Sequence, residues 1–291
     1  MQLDKTQIAI RERGLLELFD LSLLVIKRYV WRIVVTTAVL AVPFSLVNTA
    51  ILWNLRPDLP TEVTTAQYGL LMVILIFLEA PLATSLVTLM LGDVMFHDEP
   101  DWRRMMSAPF SLIPRMFWLV AVLRGVVPGM GLVFLCTLEN AEAWGFFLFL
   151  LVAYATILRG VRPFVGEIIL LERNPFYAQD ANTMTVGRRS AALHNPNFGD
   201  MVIRAMASTF AIPLACAVCI NVWALRGYLF GQWGWDSVML DILLPASLWL
   251  VAAFMTVARF LSYLDLRIRR EGWEVELVVR AEANRWKGAP A

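Results

Sequence analysis

The chain has 291 residues, 59% hydrophobic and 17% charged, with a net charge of +1 and a mean hydropathy of +0.64. Soluble globular domains run at roughly 45–50% apolar and about 25% charged, so this composition excludes a water-soluble enzyme and gives no basis for nucleic-acid binding. It points to an integral membrane protein, and apolar stretches of about 20 residues each leave almost no room for a soluble domain.

The chain opens polar, Met1 to Lys5, so no removable signal peptide is expected and the first apolar segment should remain as an anchor. In "RERGLLELFDLSLLVIKRYV", Arg13, Glu17, Asp20, Lys27 and Arg28 share one helical face against leucines on the other. Such a helix can lie in the membrane interface or cap the bundle as a solvated element. Six apolar runs follow, at about 31–53, 68–92, 116–137, 144–171, 204–225 and 237–262, each read as a transmembrane helix. Each holds one internal proline: Pro43, Pro81, Pro128, Pro163, Pro213 and Pro245. The first, third and fifth stand 85 residues apart and the second, fourth and sixth 82 apart, which argues for three copies of one unit. Arg103-Arg104 and Arg188-Arg189, each in an amphipathic lead, are also 85 apart. The expected fold is therefore all-α: six spans as three tandem two-helix repeats, units about 10–97, 98–182 and 183–270, with cytoplasmic lead helices, in one membrane domain over 1–291. Six prolines inside spans predict six kinks, since each lacks a backbone N–H.

The segments 54–67, 138–143 and 226–236 contain only Arg56 and Arg226 as basic residues. By the positive-inside rule both termini are cytoplasmic, and Trp31, Trp53, Tyr68, Trp144, Trp233 and Trp235 fall near span ends as an aromatic belt. Ionisable side chains within the spans should be paired or functional. They are Glu79, Arg124, Arg159, Arg162, Glu167 and Asp241. Glu79 is expected near the midplane, within reach of Arg159 or Arg124. Those two arginines each precede a proline by four residues, where kinked backbone exposes carbonyl acceptors. Arg162 and Glu167 are expected shallow enough to reach the headgroups. The cluster reads either as interhelical ion pairing or as a polar route or anionic headgroup site.

Catalytic signatures are missing: no nucleophile elbow, Walker loop, HExxH or glycine-rich phosphate cradle. Cys216 and Cys219 form a CxxC on an apolar helix without a second ligand pair, and read with Cys136 as packing residues. His97, with Asp98, Glu99 and Asp101, reads as a solvated turn before a capped helix rather than a carboxylate metal site. His194 is placed in a cytoplasmic loop without an acidic neighbour. No cofactor and no metal is expected.

The C-terminal stretch "FLSYLDLRIRREGWEVELVVRAEANRW" permits a hairpin around "REG" by its alternation. Helical spacing favours instead a helix leaving the membrane, interrupted near Gly272, with Arg267 and Glu271, Arg270 and Glu274, and Glu276 and Arg280 as i, i+4 pairs. Residues 263–291 then form a cytoplasmic amphipathic tail. Its carboxylates argue against a polybasic lipid patch, and Asp265, Arg267, Arg269, Arg270, Glu271 and Trp273 read as a docking surface.

At "RPFVGEIILLERNPFYAQDANTMTVGRRSAALH" and "FLSYLDLRIRREGWEVEL" the chain resembles bacterial polytopic membrane proteins related to the membrane domain that precedes some glycerophosphodiester phosphodiesterases. The resemblance is carried by Glu172, by Arg189-Ser190, and by Tyr263, Asp265, Arg267, Arg269, Glu271 and Gly272. It covers about residues 10–285, leaves out the phosphodiesterase catalytic domain, and implies an architecture in the bacterial inner membrane, with an association with lipid or envelope physiology. The expected function is that of a non-enzymatic accessory or scaffolding subunit, its partners membrane lipids and other membrane proteins. The alternatives are a small-molecule or lipid transporter using the intramembrane charges and a lipid-modifying enzyme.

Overall fold

The computed structural model describes residues 14–56, 64–96, 122, 125–138, 141–172, 174–177 and 183–271. Among them every regular element is helical. In chain order these are α1 (Leu15–Ile51), a 3-10 turn (Trp53–Leu55), α2 (Thr65–Ala83), α3 (Ser85–Phe96), α4 (Val126–Leu138) and α5 (Ala141–Val161). There follow α6 (Val165–Glu167), continuing as a π-helical turn (Ile168–Glu172), then α7 (Val186–His194) and α8 (Phe198–Ser208). The last are α9 (Ala211–Phe230), a second π-helical turn (Met239–Leu243) and α10 (Leu244–Glu271).

Four helical stretches are long and apolar enough to cross a membrane: Leu15–Ile51, Thr65–Met95, Gly199–Phe230 and Met239–Arg270. A fifth is Gly145–Val161 together with Val165–Glu172, if two limbs bent by 69° count as one. The expected third span is described mainly from Gly125 onward, where Val126–Leu135 is apolar but short. The lead around Arg103-Arg104 lies outside the described residues.

Helix ends follow local chemistry. At the start of α2 the Thr64 hydroxyl accepts from the Gln67 N–H while the Gln67 side chain accepts from the Thr64 N–H, a reciprocal cap that satisfies two otherwise orphaned donors. The Thr185 hydroxyl caps α7 through the Arg188 N–H, and α9 stops at Gly231, whose φ of +67° favours glycine.

The prolines do not produce six equivalent kinks. Pro43 and Pro81 lie inside α1 and α2, and Pro163 sits at the 69° bend. Pro128 and Pro213 fall in the first turns of α4 and α9, where a missing N–H has no intrahelical partner to lose, and Pro245 follows directly on the π-helical turn Met239–Leu243 within one continuous helical stretch. The one non-helical residue of α1 is Tyr29 (φ −117°, ψ 23°), with the guanidiniums of Arg28 and Arg32 within 6 Å of its ring centroid. A straight 37-residue helix would run about 55 Å, far beyond a hydrocarbon core of about 30 Å. Tyr29 therefore divides α1 into the amphipathic lead and the apolar span. The lead packs back on the bundle: Phe19 stacks against Phe254 of α10 and meets Phe210.

Two apolar cores result. One joins the α1 lead, α3, α6, α7 and the last turns of α10 through Leu18, Met90, Phe164, Ile169, Phe260 and Tyr263. The other joins the second half of α1, α2, α4 and the first turns of α10 through Leu52, Tyr68, Met72, Leu75, Val133 and Trp249. Helix α10 runs through both. The most apolar stretch of Gly199–Phe230, by contrast, has none of its residues buried. Ile212, Ile220, Leu225 and Leu229 all face outward, as a lipid-facing helix requires.

Candidate functional site: buried polar clusters between the helices

Polar side chains meet at three levels of the bundle. At one end the π-helical turn sets Glu167 and Glu172 five residues apart, and π-helical hydrogen bonding is i to i+5. They face Arg259 and Tyr263, one α-helical turn apart on α10. Arg259 Nε lies 2.6 Å from Glu167 Oε1, and the Tyr263 hydroxyl donates to Glu172 Oε1 at 2.6 Å. Arg189, brought by α7, forks onto Glu172 through Nε to Oε2 at 2.6 Å and Nη2 to Oε1 at 2.9 Å. Such bidentate pairing is the strong form of an arginine–carboxylate contact. Asn174 donates to Oε2 at 3.0 Å, and Arg267 Nε stands 3.8 Å from Oε1 with its guanidinium 5.8 Å from the Tyr263 ring centroid. Glu172 thus draws three segments together.

Beside it, Arg204 of α8 donates to the Ser262 carbonyl at 3.1 Å and to Asp265 Oδ2 at 2.7 Å, and also contacts the Ser262 hydroxyl. Arg269 Nε is 3.2 Å from the same Asp265 oxygen. His194 is not in a loop: it stands in the last turn of α7, buried. Its Nε2 accepts from the Phe164 N–H at 3.5 Å and its Nδ1 is 2.7 Å from the Ser190 carbonyl, which assigns the proton to Nδ1. Its ring stacks on Phe164.

The expected docking surface is corrected here. Asp265 is only 3% exposed and bonded to α8, and Arg267 lies against Tyr263 and Glu172, because the face of α10 that carries both packs inward. Arg270 is exposed. Glu271 closes α10 as helix, and Gly272 and Trp273 lie outside the described residues. Glu167, expected to reach outward to the headgroups, is instead fully buried within the bundle, with its Oε2 lacking a hydrogen-bond partner.

The middle level lies on α2. The expected Glu79–Arg159 pair is not formed. Glu79 is fully buried and accepts from Asn48 Nδ2 of α1 at 2.8 Å. Arg159 of α5 donates instead to the Leu78 carbonyl at 3.0 Å, with its guanidinium 4.0 Å from the Phe77 ring centroid. That carbonyl belongs to the neighbouring helix, three residues before Pro81, and not to the backbone around Pro163 of the arginine's own stretch. Arg162 is exposed at the bend after α5, and Arg124 lies outside the described residues.

At the opposite end Arg56 Nη2 lies 3.0 Å from Asp241 Oδ2, and the fully buried Tyr68 donates its hydroxyl to Asp241 Oδ1. With Thr65, Trp235 and Asp236 these residues line a cavity of about 240 Å³. Next to it the buried Arg226 binds the Gly234 carbonyl (3.1 Å), Gln232 Oε1 (2.7 Å) and Asp236 Oδ2 (2.5 Å). The Arg226 hydrogen bond and the Met239 N–H hold the Asp236 carboxyl below the usual carboxylate range. Trp233 packs edge-on against Trp223 and Tyr228.

Cys216 is exposed and Cys219 half-buried on α9, both free thiols. Among the described residues no group of three His, Cys, Asp or Glu side chains could hold a metal ion. His97 and its acidic neighbours lie outside the described residues. Sequence reasoning passed over Asn48, Arg204, Arg259 and Ser262. Arg259 and Tyr263 did carry a signal, since their four-residue spacing puts both on one helix face.

The chain matches no protein-family model, no curated protein and no solved structure.

Proposed function

We propose that this chain is a non-enzymatic accessory or scaffolding subunit of a membrane complex in the bacterial inner membrane. In this reading it crosses the membrane six times as three tandem two-helix units, both termini are cytoplasmic, and its partners are membrane lipids and other membrane proteins. One observation carries the functional part: Glu172 gathers Tyr263, Arg189 and Asn174 from three segments. Charge at that end of the bundle thus joins helix to helix instead of lining an open route. Of the residues that carry the resemblance to the membrane domain preceding some glycerophosphodiester phosphodiesterases, Glu172, Arg189, Tyr263 and Arg267 belong to this one network, and Asp265 and Arg269 to the Arg204 cluster beside it, which supports an architectural role for them.

The transport reading draws on the cavity beside Arg56 and Asp241 and on Glu79. Native mass spectrometry after mild detergent extraction at natural abundance separates the two. A subunit of a complex leaves the membrane in fixed stoichiometry with another polypeptide. A chain that leaves with lipid alone, and that speeds solute or lipid flux when reconstituted, contradicts the scaffold.

A further inference from the structure

The Asn48–Glu79 contact differs from the other carboxylate contacts of the bundle. Glu167, Glu172, Asp241 and Asp265 each face an arginine. Glu79 faces a neutral carboxamide, and no ion pair reaches it among the described residues. It stands one residue from the centre of the Thr65–Met95 stretch, where an unpaired charge is most costly. Around it, α1 from Ile33 to Ile51 and the 3-10 turn after it, α4, and α10 from Leu244 to Ala258 contain no charged residue. Arg159 is the one described cation beside this turn of α2, and it donates to the Leu78 carbonyl. The polar atoms leave a deficit of donors: Asn48 Nδ2 serves Glu79 Oε2 at 2.8 Å, while Glu79 Oε1 and Asn48 Oδ1 are both buried without a hydrogen-bond partner.

Two orphaned acceptors flanking one donor bond are what a carboxylic acid beside a primary carboxamide leaves when its proton is not counted. A protonated carboxyl has one O–H donor and keeps acceptor capacity, and the carboxamide offers both kinds. One proton then satisfies both orphans, whereas leaving them unmatched in a low-dielectric site is costly. We propose that Glu79 is a proton-binding site at bilayer depth, holding its proton on Oε1 and donating it to Asn48 Oδ1 in a cyclic acid–amide pair that ties α1 to α2. The proton comes from water, and its release to water breaks the bond from Oε1 to Asn48 Oδ1, leaving Asn48 Nδ2 donating to the carboxylate at Oε2. A metal cation is the poorer occupant, because hard cations gather six or more oxygen ligands and the orphaned oxygens here number two.

Infrared difference spectroscopy of the full chain in lipid nanodiscs, wild type minus Glu79→Gln, tests this at neutral pH. Glutamine presents the same donor and acceptor to Asn48, so the variant is expected to fold with its unfolding equilibrium within about threefold of wild type, whereas Glu79→Ala loses tenfold or more. The expected spectrum has a carboxylic-acid carbonyl band that vanishes in Glu79→Gln, shifts in heavy water and ignores sodium. In Asn48→Leu the same band moves to the higher frequency of an unbonded acid. A carboxylate signature at Glu79 overturns the proposal, as does an acid band that appears only when sodium is withdrawn, or one that stays in place in Asn48→Leu.

Discussion

Glu172→Gln tests the network that joins α7, α10 and the π-helical turn. Glutamine keeps the size and one acceptor but removes the charge that Arg189 grips through two bonds of 2.6 and 2.9 Å. Removing one partner of a buried pair costs about 3–5 kcal/mol, and exposed pairs are worth about 0–1 kcal/mol. The side chains of Arg189 and Glu172 are 18% and 11% exposed, so the expected loss is about 2–3 kcal/mol. Tyr263→Phe removes one hydrogen bond to a charged acceptor from a fully buried ring, and should cost about 1.5–2 kcal/mol. Because the tyrosine bond is weaker when its acceptor is neutral, the double variant should lose about 1 kcal/mol less than the two singles together. The assay is reversible unfolding in mixed detergent micelles followed by circular dichroism. Single losses below about 0.5 kcal/mol, or additivity within about 0.5 kcal/mol, would refute the reasoning.

Further expectations concern the opposite end. A Cβ at Gly227 would sit 2.5 Å from the Trp233 ring, so Gly227→Ala should push the indole off Trp223 and cost about 1–3 kcal/mol; an unchanged near-ultraviolet dichroism spectrum would count against that contact. Asp236 titrates below the usual aspartate range because Arg226 and the Met239 N–H favour its charged form. Its contribution to stability is therefore fully present above the ordinary aspartate value and lost as pH falls through the depressed one. The Trp233 signal should hold from neutral to mildly acidic pH and fall below that range, with Asp236→Asn showing no such acid transition. A wild-type transition at or above the ordinary aspartate value would contradict the assignment.

Much of the helical layout was legible because apolar length and helical periodicity are local signals. The polar lead of α1, the apolar stretches and the helical course of the chain through Glu271 all follow from spacing along one element. Partnership between elements was less legible. Counting charges pointed Glu79 to an arginine, whereas its partner is Asn48, a neutral residue that no charge pattern marks. Periodicity placed Asp265 and Arg267 on an amphipathic helix, but which face meets solvent depends on α7 and α8, which bring Arg189 and Arg204 from far along the chain. The irregular residue of α1 is Tyr29 and not Pro43, a choice set by packing of the lead on α10. The π-helical turn that puts Glu167 and Glu172 in step with Arg259 and Tyr263 leaves no signature in residue type.

A bundle that crosses the bilayer in the proposed topology puts the Glu172 network and the Arg226 loop on opposite faces of the membrane. Single cysteines at Gly187 and Gly234, positions where an added Cβ meets nothing within 4 Å, in a chain whose three native cysteines are replaced, can be probed with a membrane-impermeant maleimide. Labelling of Gly187→Cys from the cytoplasmic side alone and of Gly234→Cys from the outer side alone is the predicted result. Labelling of both from the same side would contradict it.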